Sequence, residues 1–197
     1  MAQDVVDAYL GAPARPSFLA GKSYDADPAG LRSQIEGFFT SEEGPGLPER
    51  NGRTAGAPLK GLVAPHIDFQ RGGPTFAWSY RALAERTEAD TFIVLGTVHA
   101  PTQGIYSLTR KDFETPLGAL EADGGFVDAL AARYSEDLFR DEFAQRGEHS
   151  IEFQAVFLRY ILPGDGDRTS QGENSGAGSV TFVPILVGSF GEFVAGC

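Results

Sequence analysis

Apolar residues fall at helical spacing in four stretches of the chain and in short unbroken runs in four others. Asp27 and Pro28 open the first helical stretch, and Leu31, Ile35, Phe38 and Phe39 recur along one face of it. A second helix is predicted over 74–85, with Pro74 in its first turn and Phe76, Tyr80 and Leu83 on one side. A third covers 125–134 through Phe126, Val127, Leu130 and Ala131, and a fourth covers 148–161 through Ile151, Ala155 and Leu158. Between them, residues 60–64, 91–96, 105–108 and 180–187 are short apolar runs that read as buried strands. Residues 41–58 and 164–179 are rich in Gly, Pro, Ser and charge and read as flexible loops. Short apolar strands alternating with helices predict a three-layer α/β sandwich around a mostly parallel sheet.

Composition narrows this picture more than it extends it. At 197 residues the chain suits one domain. Its apolar runs are too short to cross a bilayer, and residues 1–10 lack the basic start of a signal peptide. The single cysteine leaves no intramolecular disulfide or Cys-pair metal site and fits a reducing compartment, so a cytoplasmic location is expected. A formal charge of -11 argues against a nucleic-acid partner, which needs a basic surface.

The chemistry lies in where the histidines fall. His66 follows the run at 60–64, and His99 follows the run at 91–96. In a parallel sheet all strand C-termini share one edge, and ligands bind in the crevice beyond it. His149 stands at the start of the fourth helix, which faces the same edge in a βα unit. Taken singly, each histidine reads as a polar cap; taken together, they predict one pocket. Imidazole is the commonest metal ligand and a general base near neutral pH.

Nearby polar residues divide between two roles. Asp68 lies two residues beyond His66, where it can orient an imidazole or simply make a turn. Glu148 and Glu152 flank His149 on a first helical turn, where the helix dipole alone favours acids. Arg71-Gly72-Gly73 offers an anion-holding turn or a plain loop. No Walker loop, G-x-G-x-x-G, H-E-x-x-H or G-x-S-x-G occurs.

Several phrases in order resemble the MEMO family, the protein B component of the AmmeMemoRadiSam group. They are Phe18-Leu19-Ala20-Gly21-Lys22-Ser23-Tyr24, Ala64-Pro65-His66-Ile67-Asp68, Arg71-Gly72-Gly73 and Leu95-Gly96-Thr97-Val98-His99. Thr115-Pro116-Leu117-Gly118, Glu148-His149-Ser150-Ile151-Glu152 and Pro184-Ile185-Leu186-Val187-Gly188 follow. The resemblance implies a fold like that of the class III extradiol (LigB-like) dioxygenases, whose iron is held by two histidines and a carboxylate. In MEMO-like proteins the equivalent pocket has two histidines and a cysteine, with iron or copper as the implied metal. His66 and His99 stand at the two metal positions. His149 matches a further pocket histidine, an acid/base candidate, with Asp68, Arg71 and Glu152 as supporting or substrate-binding residues. A radical SAM protein is the partner the family suggests. Family members continue with a Ser-x-Asp-x-x-His-type segment and the ligand cysteine, and Cys197 does not match the latter. Residues 1–197 are therefore expected to be the N-terminal portion of one MEMO-like domain, truncated at its C-terminus.

Two functions follow from this reading. One is metal-dependent, dioxygenase-like oxidoreductase chemistry at the histidines. The other is a non-catalytic scaffold that uses a vestigial pocket for a small-molecule, peptide or anionic ligand, without nucleic acid or membrane.

Overall fold

A computed structural model describes residues 2–49, 57–162 and 180–189. Its central strand is β6 (Thr181–Val187), buried along all but its two ends. Along one edge it pairs in parallel with all of β2 (Thr91–Thr97), from Thr91 opposite Thr181 to Thr97 opposite Val187. Its other edge is shared: β5 (Glu121–Ala122) runs parallel to its start, and β3 (Tyr106–Leu108) runs antiparallel to its end. A separate two-stranded ladder joins β1 (Ala14–Arg15) to β4 (Asp112–Phe113) in parallel. The sheet is thus mixed, with its longest pairing parallel.

Pro184 lies in the middle of β6, where a missing N–H would ordinarily break the ladder. The Phe182 carbonyl accepts from Asp123 N, and Gly188 N donates to the Ile105 carbonyl. Even-numbered residues of β6 therefore aim their backbone groups at the shared edge. Pro184 falls in the gap between β5 and β3, where no bond is lost.

Helices begin where side chains cap them. Asp27 accepts from Gly30 N and starts α2 (Pro28–Thr40) with Pro at its first position. Asp68 accepts from Arg71 N and starts α3 (Phe69–Arg86). The helix predicted from Pro74 begins five residues earlier, because this cap outweighs the proline, which is tolerated inside the helix. Asp123 caps α4 (Gly124–Ala131), and Glu148 caps α5 (His149–Ile161). An N-terminal helix, α1 (Ala2–Gly11), packs Tyr9 edge-on to Phe143 of a short 3-10 helix, Glu142–Arg146.

One core lies between the sheet and α2, α3 and α5, joining Leu31, Ile35, Phe39, Phe69, Phe76, Phe157, Phe182 and Leu186. Phe69 touches the rings of Tyr24, Phe38, Phe76, Phe153 and Phe157. Gly73 lets α2 approach this closely: a Cβ there would lie 2.4 Å from the Phe38 ring. A smaller core on the opposite face of β6 joins Val183 and Ile185 to Leu108, Val127 and Leu138. Helix, sheet and helix make three layers over β6.

Two expectations change on the other side. Residues 60–64, read as a buried strand, run without a ladder partner, and Val63 is 95% exposed. An apolar run becomes a strand only where another strand offers an edge, and none of the described strands reaches it. The strand at β2 forms, but Ile93 and Leu95 on its second face are 54% and 68% exposed. Of the two predicted loops, 41–49 folds back onto α3, where Trp78 Nε1 donates to the Glu43 carbonyl and Arg81 donates to the Pro45 carbonyl. Residues 164–179 and Cys197 lie outside the described residues.

Candidate metal-binding pocket

His66, His99 and His149 converge. Their ring centroids are 5.4 Å (66 to 99), 5.9 Å (66 to 149) and 4.5 Å (99 to 149) apart. One ring nitrogen from each lies within 4.8 Å of the other two. Three imidazoles on one metal at typical bond lengths bring their nitrogens to roughly 3.3 Å, so a closing movement of about an ångström suffices.

The elements explain the meeting. His99 leaves the C-terminal end of β2, and His149 opens α5. Gly96 lets that helix start reach the strand end: a Cβ there would sit 2.5 Å from Ile151 and 2.6 Å from the Ser150 hydroxyl. The Ser150 hydroxyl donates to the Thr97 carbonyl at 2.8 Å. His66 is brought in by the segment before α3, where Gln154 Nε2 donates to the Pro65 carbonyl at 2.8 Å.

Glu148 ties the cluster together. Its carboxylate accepts from the backbone of His99, His149 and Ser150 at 2.8, 2.8 and 3.0 Å. The His99 ring Nδ1 lies 3.0 Å from Oε1. A carboxylate accepts only, so Nδ1 carries the proton and Nε2 of His99 keeps its lone pair. Burial pushes the Glu148 carboxyl up, but donation from the Ser150 and His99 amides and the His99 ring outweighs it and holds the group below its ordinary value. Burial lowers His149, opposed by Glu148 and reinforced by the neighbouring histidines.

The other residues singled out in the sequence have different partners. Asp68 caps α3 and pairs with the Arg71 guanidinium, and both line the pocket wall. Glu152 turns into the core, paired with Arg15 at 2.7 Å, and accepts from Leu19 N and the Tyr24 hydroxyl. Arg15 is fully buried and also donates to the carbonyls of Gln145 and Glu148. Burial, followed by the Glu152 carboxylate, raises the Tyr24 hydroxyl, which stays a protonated donor. Sequence reasoning left out Arg15, and it set Glu148 aside as a first-turn acid. The signal for Glu148 was its place beside His149; nothing local pointed to His99, 49 residues away.

Beside the histidines opens a cavity of about 660 Å³, lined by Leu19, Pro65, Ile67 and Phe153 with His66 and His149. Apolar walls with a few convergent polar groups suit a small ligand.

Fold and site together define an α/β domain with a three-imidazole cluster at the end of a parallel strand pair. The family model for "Memo-like protein" matches residues 15–195, and the chain belongs to that family. A MEMO1 family protein of Methanopyrus kandleri is 40% identical over 149 residues, covering 75% of this chain and 52% of the relative. One of Aquifex aeolicus is 32% identical over 144 residues, covering 73% and 35%. One of Pyrobaculum aerophilum is 31% identical over 177 residues, covering 88% and 56%. The chain thus spans about half the length, or less, of the curated relatives it matches.

Proposed function

We propose that this protein binds a divalent first-row metal, iron or copper, through His66 and His99, with His149 beside them as the acid/base group. The observation that carries the reading is the convergence of all three rings, with the His99 Nδ1 proton held by Glu148. A histidine whose second nitrogen is fixed by a carboxylate is a recurring support for metal ligands. Neutral imidazole donors suit iron, copper, zinc and nickel, and the family resemblance favours the first two.

His66 and His99 would hold the metal, which would supply polarisation of an oxygenated ligand or dioxygen for dioxygenase-like oxidoreductase chemistry. The chain's own groups do the rest. Glu148 fixes the His99 tautomer, and the lowered His149 remains a neutral proton acceptor at neutral pH. Leu19, Pro65, Ile67 and Phe153 give the cavity an apolar wall beside the histidines. The scaffold reading would meet an anionic ligand through Arg71, whose exposed side chain lines the cavity and is shared with Asp68. A radical SAM protein is the functional partner we propose, on family grounds alone.

The test is elemental analysis of the purified chain for iron, copper and zinc, beside a His66→Ala/His99→Ala variant. Near-stoichiometric iron or copper in the parent and none in the folded variant is expected. Equal metal in both, or none in a folded parent supplied with either ion, sinks the reading.

A further inference from the structure

The three histidines are held in place unequally. His99 follows β2, His149 opens α5, and Glu148 takes both of their backbone amides. His66 ends a segment without a ladder partner, in which Val63 is 95% exposed. That segment starts beside one end of α3, where Leu59 N donates to the Arg86 carbonyl. It finishes at the other end, where Asp68 caps the helix. A helix of 18 residues is about 27 Å long. The chain from Leu59 to Asp68 reaches roughly 30 Å when extended. The segment is therefore a nearly taut strap along α3, and its sideways position is set by what holds it.

Toward α5 that hold is the buried side chain of Gln154. Its Nε2 donates to the Pro65 carbonyl at 2.8 Å and to the Ser150 carbonyl at 3.2 Å. Its Oε1 accepts from the Tyr80 hydroxyl at 2.8 Å. Both donors and the acceptor of the amide are thus engaged. Turning the amide over would set its oxygen against two carbonyls, so the network fixes its orientation. Tyr80 stacks on Phe157 at 5.0 Å, and burial pushes its hydroxyl far above the ordinary value, so it remains a donor. Leu59 and Ala64 set the depth of the strap by packing against the core. The His66 backbone also faces the His149 ring, a contact inside the cluster itself.

We propose that Gln154 is the positioning residue for His66, holding the Pro65 carbonyl so that the next side chain reaches His99 and His149. The inference deepens the metal-site reading, and its consequence for metal affinity rests on that reading. Gln154 follows Ser150 by one helical turn, so one face of α5 serves both sides of the pocket. Ser150 holds the Thr97 carbonyl on the His99 side, and Gln154 holds the Pro65 carbonyl on the His66 side. Without Gln154 the strap keeps its two ends and loses the hold beside the histidine. His66 then leaves the cluster, while His99 and His149 stay under Glu148.

The experiment compares the full 197-residue chain with Gln154→Met, which keeps the length of the side chain and removes its donors. Ring-to-ring nuclear Overhauser cross-peaks among the three histidines are recorded with a chelator present, so that no metal draws the rings together. The parent should show His66 in contact with both other rings. Gln154→Met should lose both His66 cross-peaks and keep the one between His99 and His149. Iron or copper affinity, titrated separately, should fall about tenfold or more. Undiminished His66 cross-peaks in the variant overturn the proposal, as does their absence from the parent. Loss of all three cross-peaks also overturns it, by making Gln154 a general core residue. Failure of both Gln154→Met and Gln154→Leu to fold has the same meaning. A parent that takes up neither ion, yet loses the His66 cross-peaks in Gln154→Met, ends the metal-site reading and leaves the positioning role standing. Tight metal binding with undiminished His66 cross-peaks does the reverse.

Discussion

Leu31 and Leu95 are the same residue in opposite circumstances. Leu31 is fully buried between α2, α3 and the aromatic cluster around Phe69, whereas Leu95 lies on β2 with most of its surface in water. Leu31 belongs to a helically spaced stripe and Leu95 to an unbroken apolar run, and both look core-like in the sequence. The difference teaches that this molecule is built from one side: α2, α3 and α5 supply its cohesion, and the outer face of β2 supplies almost none. The histidine cluster sits at the boundary between the two.

The largest effect should come from the buried anchor of the cohesive side. Arg15→Met leaves Glu152 buried without its partner and should cost about 3–5 kcal/mol in denaturant unfolding. An Arg15→Met/Glu152→Gln double variant should recover part of that. Leu31→Ala should cost about 2–5 kcal/mol by the same measurement, the sum of lost transfer energy and a cavity. Glu148→Gln should weaken iron or copper binding about 10–100-fold in a competition titration by loosening His99. Asp27→Ala removes only the α2 cap, for about 1 kcal/mol. Leu95→Ala should change stability by less than about 0.5 kcal/mol. A Leu95→Ala cost approaching that of Leu31→Ala would erase the contrast between the two sides.

Much of the architecture was legible because its signals are local. Spacing at Leu31, Ile35 and Phe39 and the Asp27-Pro28 start located α2, and the 148–161 stripe located α5. The meeting of His99 and His149 was legible for a topological reason, since one follows β2 and the other opens α5, whereas His66 joins them from the unpaired segment before α3 and not from a strand end. What failed depends on partners. Residues 60–64 have the composition of a strand, but pairing is a property of two segments. The run at 91–96 cannot announce that one of its faces is bare. Arg15 sits in an unremarkable dipeptide, and its role appears only when α5 arrives beside it. Glu148 was masked by an adequate local explanation, the helix dipole, which the structure shows to be half of its role.

The Arg15 contact has a consequence in time. Its guanidinium grips the Glu148 carbonyl across 133 residues of chain. At typical synthesis speeds, the segment carrying Arg15 leaves the ribosome on the order of ten seconds before the residue it must hold. During that wait a cationic side chain destined for full burial has only water or a chaperone for company. Loop closure over such a separation makes this joint a late event in folding. The imidazole cluster at the head of α5 therefore depends on one of the longest-range contacts among the described residues.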